Sequence, residues 1–172
     1  MKKVLLVIDM QKDFIDGSLG SKEATEIVNN VIEKIKTYEN EDSLIYYTMD
    51  THNPNYLETP EGKKLPVEHC IKGTDGWKIP ENILRGHTNI FEKYTFGSKD
   101  LFDELKKHES DIESIELIGL CTDICVVSNV MLAKAYFPDM KIMVDEKCCA
   151  GVTVESHQKA IDTMKMCQID II

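Results

Sequence analysis

Two cysteines lie four positions apart in the stretch ELIGLCTDICVVSN, residues 116–129. A thiol in the first turn of a helix meets unpaired backbone N–H groups and the positive end of the helix dipole, and both favour the nucleophilic thiolate. Thr122 and Asp123 are natural N-cap residues, so the pattern predicts Cys125 in that first turn and Cys121 at the preceding strand end. Backbone N–H groups near Cys121 and Cys125 are therefore candidates for an oxyanion hole.

The same pair of cysteines has other interpretations. Free cysteines are among the most buried residue types, so both thiols could be small core side chains. The spacing is C-x3-C rather than C-x-x-C, which disfavours a thioredoxin-like redox centre. The chain has six cysteines and begins MKKVLLVIDM, an apolar run that is too short for a signal peptide and is interrupted by Asp9. We therefore expect reduced thiols in a cytoplasmic protein rather than three disulfides.

A cysteine nucleophile needs a base that takes its proton. None of the five histidines sits at an apparent strand end, whereas Asp9 does and Lys93 lies near the end of a possible short strand. A carboxylate whose pKa lies near the working pH can act as the base, and a lysine between carboxylate and thiolate would stabilise both charges. Taken singly, Asp9 could be a loop-capping residue and Lys93 a solvated charge.

Apolar runs and amphipathic periods alternate along the chain. Strands are predicted at 3–8, 44–48, 89–94, 114–120, 141–144 and 168–172, and helices at 22–38, 99–107, 123–136 and 153–166. This order predicts one α/β domain over residues 1–172, with a doubly wound, mainly parallel sheet in a Rossmann-like three-layer sandwich. Ligands of such sheets bind beyond the carboxyl ends of the strands, where Asp9, Lys93 and Cys125 are all predicted to lie.

Three motifs, VIDMQKDF, FEKYTFGS and LIGLCTDICV, together resemble those of the isochorismatase-like cysteine hydrolases. That family carries an Asp–Lys–Cys triad on a doubly wound α/β sheet, and its motifs match Asp9, Lys93 and Cys125 in the same chain order. The resemblance continues as far as SHQKAIDTM near the C-terminus. It implies that Cys125, after T-D-x, is the nucleophile rather than Cys121, and that the Leu120–Cys121 peptide bond is cis.

Residues 49–90 hold four of the five prolines and little predicted regular structure, which in a compact domain usually has a functional reason. Asp50 and His52 lie two positions apart there, and His69 follows 17 residues later. Such nitrogen and oxygen donors suit a Zn²⁺-like ion, although imidazoles and carboxylates also serve turns and surfaces. The nicotinamidase (pyrazinamidase) branch has D-x-H and a later H-C before a G-T-x-G turn, so the resemblance implies a metal site at Asp50, His52 and His69, with Glu61 as a further ligand.

The resemblance to that branch implies an amidohydrolase that converts nicotinamide to nicotinic acid and ammonia through a cysteine thioester. It also implies a divalent ion that anchors the ring nitrogen, with zinc as the first expectation and iron or manganese as alternatives. Phe14, Trp77 and Tyr94 are the aromatic candidates for the pocket wall. Cys121 stands where the branch commonly has alanine, and a disulfide between it and Cys125 would inactivate the enzyme.

Three alternatives remain open from the sequence. The chain could be a same-family enzyme, either a metal-free hydrolase of another small amide or an isochorismatase-type enzyme. It could also be a metallohydrolase whose metal-bound water is the nucleophile, or a binding protein with a degenerate site. The formal net charge of −10 and the lack of a basic cluster disfavour nucleic acid as a partner. No stretch approaches the roughly 20 apolar residues of a membrane span. The expected partners are a small-molecule amide and, by analogy with the family, further copies of the chain in a homo-oligomer.

Overall fold

The structure is a computed structural model that describes residues 1–41 and 43–172. Within them, six strands form one sheet in the order β3-β2-β1-β4-β5-β6, and all neighbouring pairs are parallel. The strands are β1 (Lys2–Ile8), β2 (Leu44–Asp50), β3 (Ile90–Lys93), β4 (Ile112–Leu120), β5 (Lys141–Ala150) and β6 (Asp170–Ile171). The predicted doubly wound, parallel α/β fold is therefore confirmed.

Helices cover both faces of this sheet. They are α1 (Lys12–Ile15), α2 (Lys22–Glu26), α3 (Val28–Asn40), α4 (Pro60–Lys64), α5 (Glu81–Leu84), α6 (Lys99–Lys106), α7 (Val127–Tyr136) and α8 (Val154–Met166). Helices α6, α7 and α8 pack on one face, and α1, α2, α3 and α5 pack on the other. No helix in the described ranges is long and apolar enough to cross a lipid bilayer.

Strand β1 shows why the apolar runs of this sequence form central strands. Successive side chains of a strand point to opposite faces, so Val4, Leu6 and Ile8 enter one core and Leu5 and Val7 enter the other. All five are fully buried. A run without polar alternation is the expected pattern where helices cover both faces of a parallel sheet.

Several predicted element boundaries were wrong. The predicted helix 22–38 is divided at Ile27 into α2 and α3. The predicted strand 141–144 continues to Ala150, because its pairing with β4 resumes after a register shift that follows Leu117. Residues between the two paired stretches, Asp145 to Cys148, include a polar run that gives no strand signal, which is typical of a bulged strand.

The order of the strands reverses between β1 and β4, since the chain continues to β2 on one side and to β5 on the other. Open α/β sheets bind ligands in the crevice at such a point. Close approach of the two strands depends on Gly119, whose φ is +120° and where a Cβ atom would lie 2.1 Å from the carbonyl oxygen of Ile8. Any side chain there would push apart the two strand ends that carry the candidate site.

Candidate active site

Three buried side chains meet beyond the carboxyl ends of the strands. Asp9 directly follows β1, Lys93 is the last residue of β3, and Cys125 lies in the turn after β4. The Lys93 Nζ atom is 2.6 Å from Asp9 Oδ2 and 3.4 Å from Cys125 Sγ. The structure thus brings together the three residues that the motifs singled out.

Asp9 is held in a constrained conformation by a neighbouring strand. Its φ of +46° lies in the left-handed region, which is uncommon for a non-glycine residue and frequent at functional sites. The Thr48 hydroxyl donates to Asp9 Oδ1 at 2.7 Å and accepts the Asp9 backbone N–H at 3.2 Å. The other oxygen, Oδ2, forms the ion pair with Lys93 Nζ, so the two carboxylate oxygens face different partners.

The charges of this group decide where its protons reside. Burial raises the pKa of Asp9, although Lys93 opposes the shift. Burial also raises the pKa of the Cys125 thiol well above its ordinary value, and the Asp9 carboxylate adds to that effect. Burial lowers the pKa of Lys93, but Asp9, Cys125 and Asp50 outweigh it and keep the ammonium charged. Both directions favour a protonated Cys125 beside a carboxylate whose raised pKa suits it to take the proton, which is the role that the sequence assigned to Asp9.

The turn that carries Cys125 also differs from the prediction. Neither Thr122 nor Asp123 is the N-cap of a regular helix. Instead, residues Thr122–Val126 form a π-helical turn capped by Cys121, and α7 begins only at Val127. Single π turns are frequently found at functional sites. The Leu120–Cys121 peptide bond is cis, as the family resemblance implied.

A second group of polar side chains lies beside the first. Asp50, His52, Glu61 and His69 each offer a ligand atom, and these atoms all lie within 4.8 Å of one another. His52 Nε2 is 3.0 Å from Asp50 Oδ2 and 3.7 Å from Glu61 Oε1, and His69 Nε2 is 3.5 and 3.8 Å from the same atoms. Ligands about 2.0–2.1 Å from a tetrahedral zinc ion lie roughly 3.4 Å apart, so two imidazoles and two carboxylates at these distances fit a divalent metal.

The ligand positions are fixed by neighbours that the sequence did not single out. Gln11 is fully buried; its side chain accepts the Asp50 N–H at 2.7 Å and donates to the Asp50 carbonyl at 2.8 Å. The Nδ1–H of His69 donates to the carbonyl of Val67 at 2.8 Å, which directs Nε2 toward the other ligands. Two sequence features could have identified such neighbours. Gln11 belongs to the motif VIDMQKDF, and Thr48 is a polar residue within the apolar run LIYYTM.

Asp50 connects the two groups. Its Oδ2 faces His52 and His69, whereas its Oδ1 lies 3.3 Å from Lys93 Nζ. Burial raises the pKa of Asp50, but the hydrogen bonds of the two imidazoles and the charge of Lys93 outweigh it, and the net pKa is lowered. An ionised Asp50 thus serves both the candidate metal ligands and the lysine of the triad.

A cavity of about 480 Å³ opens onto both groups, a size suited to a small ligand. Phe14 lines it, as predicted, but neither Trp77 nor Tyr94 is among its described lining residues. Trp77 instead donates its indole N–H to Thr51 within the long loop. Tyr94 follows Lys93 along the chain, so it points to the opposite side and is 63% exposed. The apolar wall includes residues that the sequence analysis missed: Leu19, Leu65, Phe96, Ile124 and Val152.

Cys121 also lines the cavity, next to Cys125. Both are free thiols. Burial raises the pKa of Cys121 to about 12, so this thiol is protonated at neutral pH. The disulfide between the two cysteines stays a prediction.

The sequence is similar to that of known proteins along almost its whole length. Residues 3–172 match the family model described as the Isochorismatase domain. A Bacillus subtilis protein described as "Uncharacterized isochorismatase family protein PncA" is 30% identical, over 94% of this chain and 93% of its own length.

Solved structures share the fold along the whole chain. The zinc complex of Pyrococcus horikoshii pyrazinamidase has a TM-score of 0.84 at 24% identity and covers 100% of this chain and 99% of its own. A pyrazinamidase/nicotinamidase from Streptococcus mutans has a TM-score of 0.84 at 25% identity, with 99% and 100% covered. N-carbamoylsarcosine amidase from Thermoplasma acidophilum has a TM-score of 0.81 at 26% identity, with 99% and 95% covered.

Proposed function

The chain belongs to the isochorismatase family, and we propose that this amidohydrolase is a nicotinamidase, which hydrolyses nicotinamide to nicotinic acid and ammonia. The observation that carries the proposal is the pairing of two groups beside one cavity: a thiol with its carboxylate and lysine, and four potential metal ligands joined to them through Asp50. The first group suits attack on an amide, and the second suits anchoring of an aromatic nitrogen.

In the proposed mechanism, Asp9 takes the proton of Cys125. The thiolate attacks the amide carbon, and the backbone N–H groups of Cys121 and Cys125 are proposed to stabilise the oxyanion. Asp9 then returns the proton to the departing ammonia. A water molecule, deprotonated by Asp9, hydrolyses the thioester, while the charged Lys93 holds carboxylate and sulfur in place.

Asp50, His52, His69 and Glu61 are the residues proposed to hold the metal. A bound divalent ion would supply a Lewis acid that coordinates the pyridine nitrogen and so fixes the ring. Zinc is the first proposal because the donor set is two imidazoles and two carboxylates, and iron and manganese accept the same donors. Phe14 lies against His69 with ring centroids 5.5 Å apart, which places an aromatic face beside the proposed ring site.

The charge of the cavity wall favours a neutral substrate. Asp50 and Glu61 both line the cavity, and among the described residues that line it there is no lysine or arginine. Nicotinamide carries no charge and needs no cationic side chain at this wall. The competing proposal is hydrolysis of a different small amide by the same triad.

The test is ammonia release from nicotinamide, with N-carbamoylsarcosine as the comparison substrate. We would assay the protein as purified, after chelation, and after reloading with Zn²⁺, Fe²⁺ or Mn²⁺, with metal content measured in each sample. Rapid release from nicotinamide that falls on chelation and returns with metal is the expected result. A metal-loaded wild type that releases no ammonia from nicotinamide would overturn the assignment, and full activity in Cys125→Ala would favour a metal-bound water as nucleophile.

A further inference from the structure

The turn that carries Cys125 is tied to the start of α8 by a hydrogen bond between two side chains. Thr122 Oγ1 and His157 Nδ1 are 2.8 Å apart. We infer that His157 is a positioning residue that fixes the π turn through Thr122, and thereby sets the reactivity of Cys125. The inference rests on the proposed role of Cys125 as nucleophile, and it adds to that proposal a residue outside the triad and the metal ligands.

Thr122 depends on this contact because it has no access to solvent. The residue is fully buried, directly after the cis peptide bond and three positions before Cys125. A buried hydroxyl left without a partner costs roughly 1–3 kcal/mol, so the turn is favoured in the conformation that keeps the hydrogen bond to His157. Loss of the imidazole would remove that preference at the first residue of the turn.

His157 is placed by close packing of the loop between β5 and α8. A Cβ atom at Gly151 would lie 2.8 Å from His157 Cβ and from its backbone nitrogen, so only glycine permits this approach. The helix begins with a capping box between Thr153 and Ser156, and the His157 N–H donates to the Thr153 carbonyl at 2.9 Å. The imidazole thus projects from the first turn of a well-anchored helix.

The same loop forms part of the cavity wall, which places His157 behind the site rather than in it. Gly151 and Val152 line the cavity, and the Val152 N–H approaches both carboxylate oxygens of Asp123 at 3.2 Å. His157 is not among the described lining residues of that cavity; it lines a separate one of about 330 Å³ on the other side of Gly151. Its effect on the reaction must therefore pass through Thr122.

The hydrogen bond is compatible with either charge state of the imidazole. A neutral ring can accept the Thr122 hydroxyl proton at Nδ1, and a charged ring can donate its Nδ1–H to the hydroxyl oxygen. The role is therefore one of position rather than of proton transfer. A small displacement of Cys125 matters because Sγ must stay near Lys93 Nζ, now 3.4 Å away, and a misplacement of about 1 Å can lower a rate by roughly 100-fold.

The test compares two replacements of His157 that differ in where they place a polar atom. Asparagine puts an amide atom near the position of Nδ1, whereas glutamine extends toward that of Nε2. We expect His157→Ala, His157→Gln and Thr122→Val to lower kcat about 10- to 100-fold with KM changed less than about twofold. His157→Asn should recover most of the loss. The double variant Thr122→Val/His157→Ala should lose no more than either single variant, because both remove the same interaction.

A second readout makes the test independent of the substrate. The rate at which iodoacetamide alkylates Cys125, measured by peptide mass spectrometry without any amide present, should fall in parallel with kcat. If wild type fails to hydrolyse nicotinamide but alkylation follows the expected order of variants, the positioning inference stands and the substrate assignment fails.

A control variant separates position from stability. Ile161 is buried one turn further along α8, and Ile161→Val should lower Tm through lost packing while kcat and alkylation stay at the wild-type level. The inference would be overturned if His157→Ala retained wild-type kcat and alkylation. It would also be overturned if Ile161→Val lost as much kcat as His157→Ala at an equal fall in Tm, or if a folded His157→Asn showed no recovery.

Discussion

Lys34 and Lys93 each lie among buried acidic groups, yet the two clusters differ in what their members can do. The Lys34 cluster comprises Lys34, Tyr38, Glu116 and Asp145, between α3 and the middle of the sheet. Lys34 Nζ is 2.8 Å from Glu116 and 2.9 Å from Asp145, and the Tyr38 hydroxyl donates to Glu116 at 2.6 Å. Burial and then Glu116 raise the pKa of Tyr38, and the two carboxylates outweigh burial to raise that of Lys34. Both raised values keep Lys34 charged and Tyr38 protonated at neutral pH.

The Lys93 cluster comprises Asp9, Asp50, Lys93 and Cys125. Its lysine side chain is 2% exposed, against 21% for Lys34. Burial raises the pKa of both Asp9 and Cys125, and Cys125 lies at the wall of a cavity. Buried charge alone therefore does not make a site: the Lys93 cluster adds a thiol that a ligand can reach.

The largest expected effect concerns the sulfur of the Lys93 cluster. Cys125→Ala should lower kcat/KM at least about 10⁴-fold, because no other described side chain in the triad can form the thioester. Cys121→Ala is the matched control and should stay within a few-fold of wild type, since this thiol only lines the cavity. Ammonia-release kinetics would measure both. Equal losses in the two variants would show that the assignment of roles to the two cysteines is wrong.

Substitution of the two lysines tests the comparison directly. Lys93→Met should lower kcat/KM by roughly 10³-fold, since it removes the charge that holds Asp9 and Cys125. Lys34→Met should leave specific activity unchanged but destabilise the fold by about 2–3 kcal/mol, because two carboxylates lose a partly solvated partner. Steady-state kinetics and thermal denaturation would measure the pair. A Lys34→Met variant that is folded but inactive would contradict the division between the clusters.

The Lys93 cluster should set the acid limit of activity, and the Lys34 cluster should set the alkaline limit of stability. Asp9 must be ionised to act as base, and its pKa is raised, so kcat/KM should fall on the acid side at a pH above the ordinary aspartate value of about 4. The pKa values of Lys34 and Tyr38 are raised on folding. Their contribution to stability is therefore complete below about pH 10 and is lost as the pH rises through the folded-state values.

The measurement pairs a pH–rate profile with the pH dependence of Tm. Tyr38→Phe should flatten the alkaline fall in Tm and leave the acid limb of kcat/KM in place. An acid limb that lies below pH 4, or an alkaline fall that Tyr38→Phe does not change, would contradict this prediction.

The smallest expected effect follows the removal of a single hydroxyl group, that of Tyr38. Tyr38→Phe removes the hydrogen bond to buried Glu116 and should cost about 2 kcal/mol, or roughly 4–8 °C in Tm for a chain of this size, without loss of activity. Tyr136→Phe is the control, because its hydrogen bond to Asp103 has a similar length of 2.7 Å but lies at the surface. Its Tm should match wild type within error. Equal falls in both variants would mean that burial of the contact does not matter.

Much of the site could be predicted because its residues follow local patterns. Apolar runs such as KVLLVI form central strands, and polar residues at their carboxyl ends must meet at one edge of the sheet. Asp9, Lys93 and Cys125 lie at such strand ends, and the family resemblance, rather than spacing alone, singled out Asp50, His52 and His69 as candidate metal ligands. The strand signal failed in β5, where a bulge lets a polar segment continue the strand.

The sequence by itself therefore determined the order of strands and helices, the parallel sheet, and the residue types that gather at its edge. The tertiary structure alone decided the burial that raises the pKa of Cys125, the placement of Trp77 and Tyr94 outside the cavity, and the contacts of Thr48, Gln11 and His157. These properties arise from contacts between residues far apart in the chain, such as the 39 positions that separate Asp9 from Thr48. Such contacts produce no periodic pattern in the sequence, because each depends on burial and on interatomic distances that are set only when the strands pair.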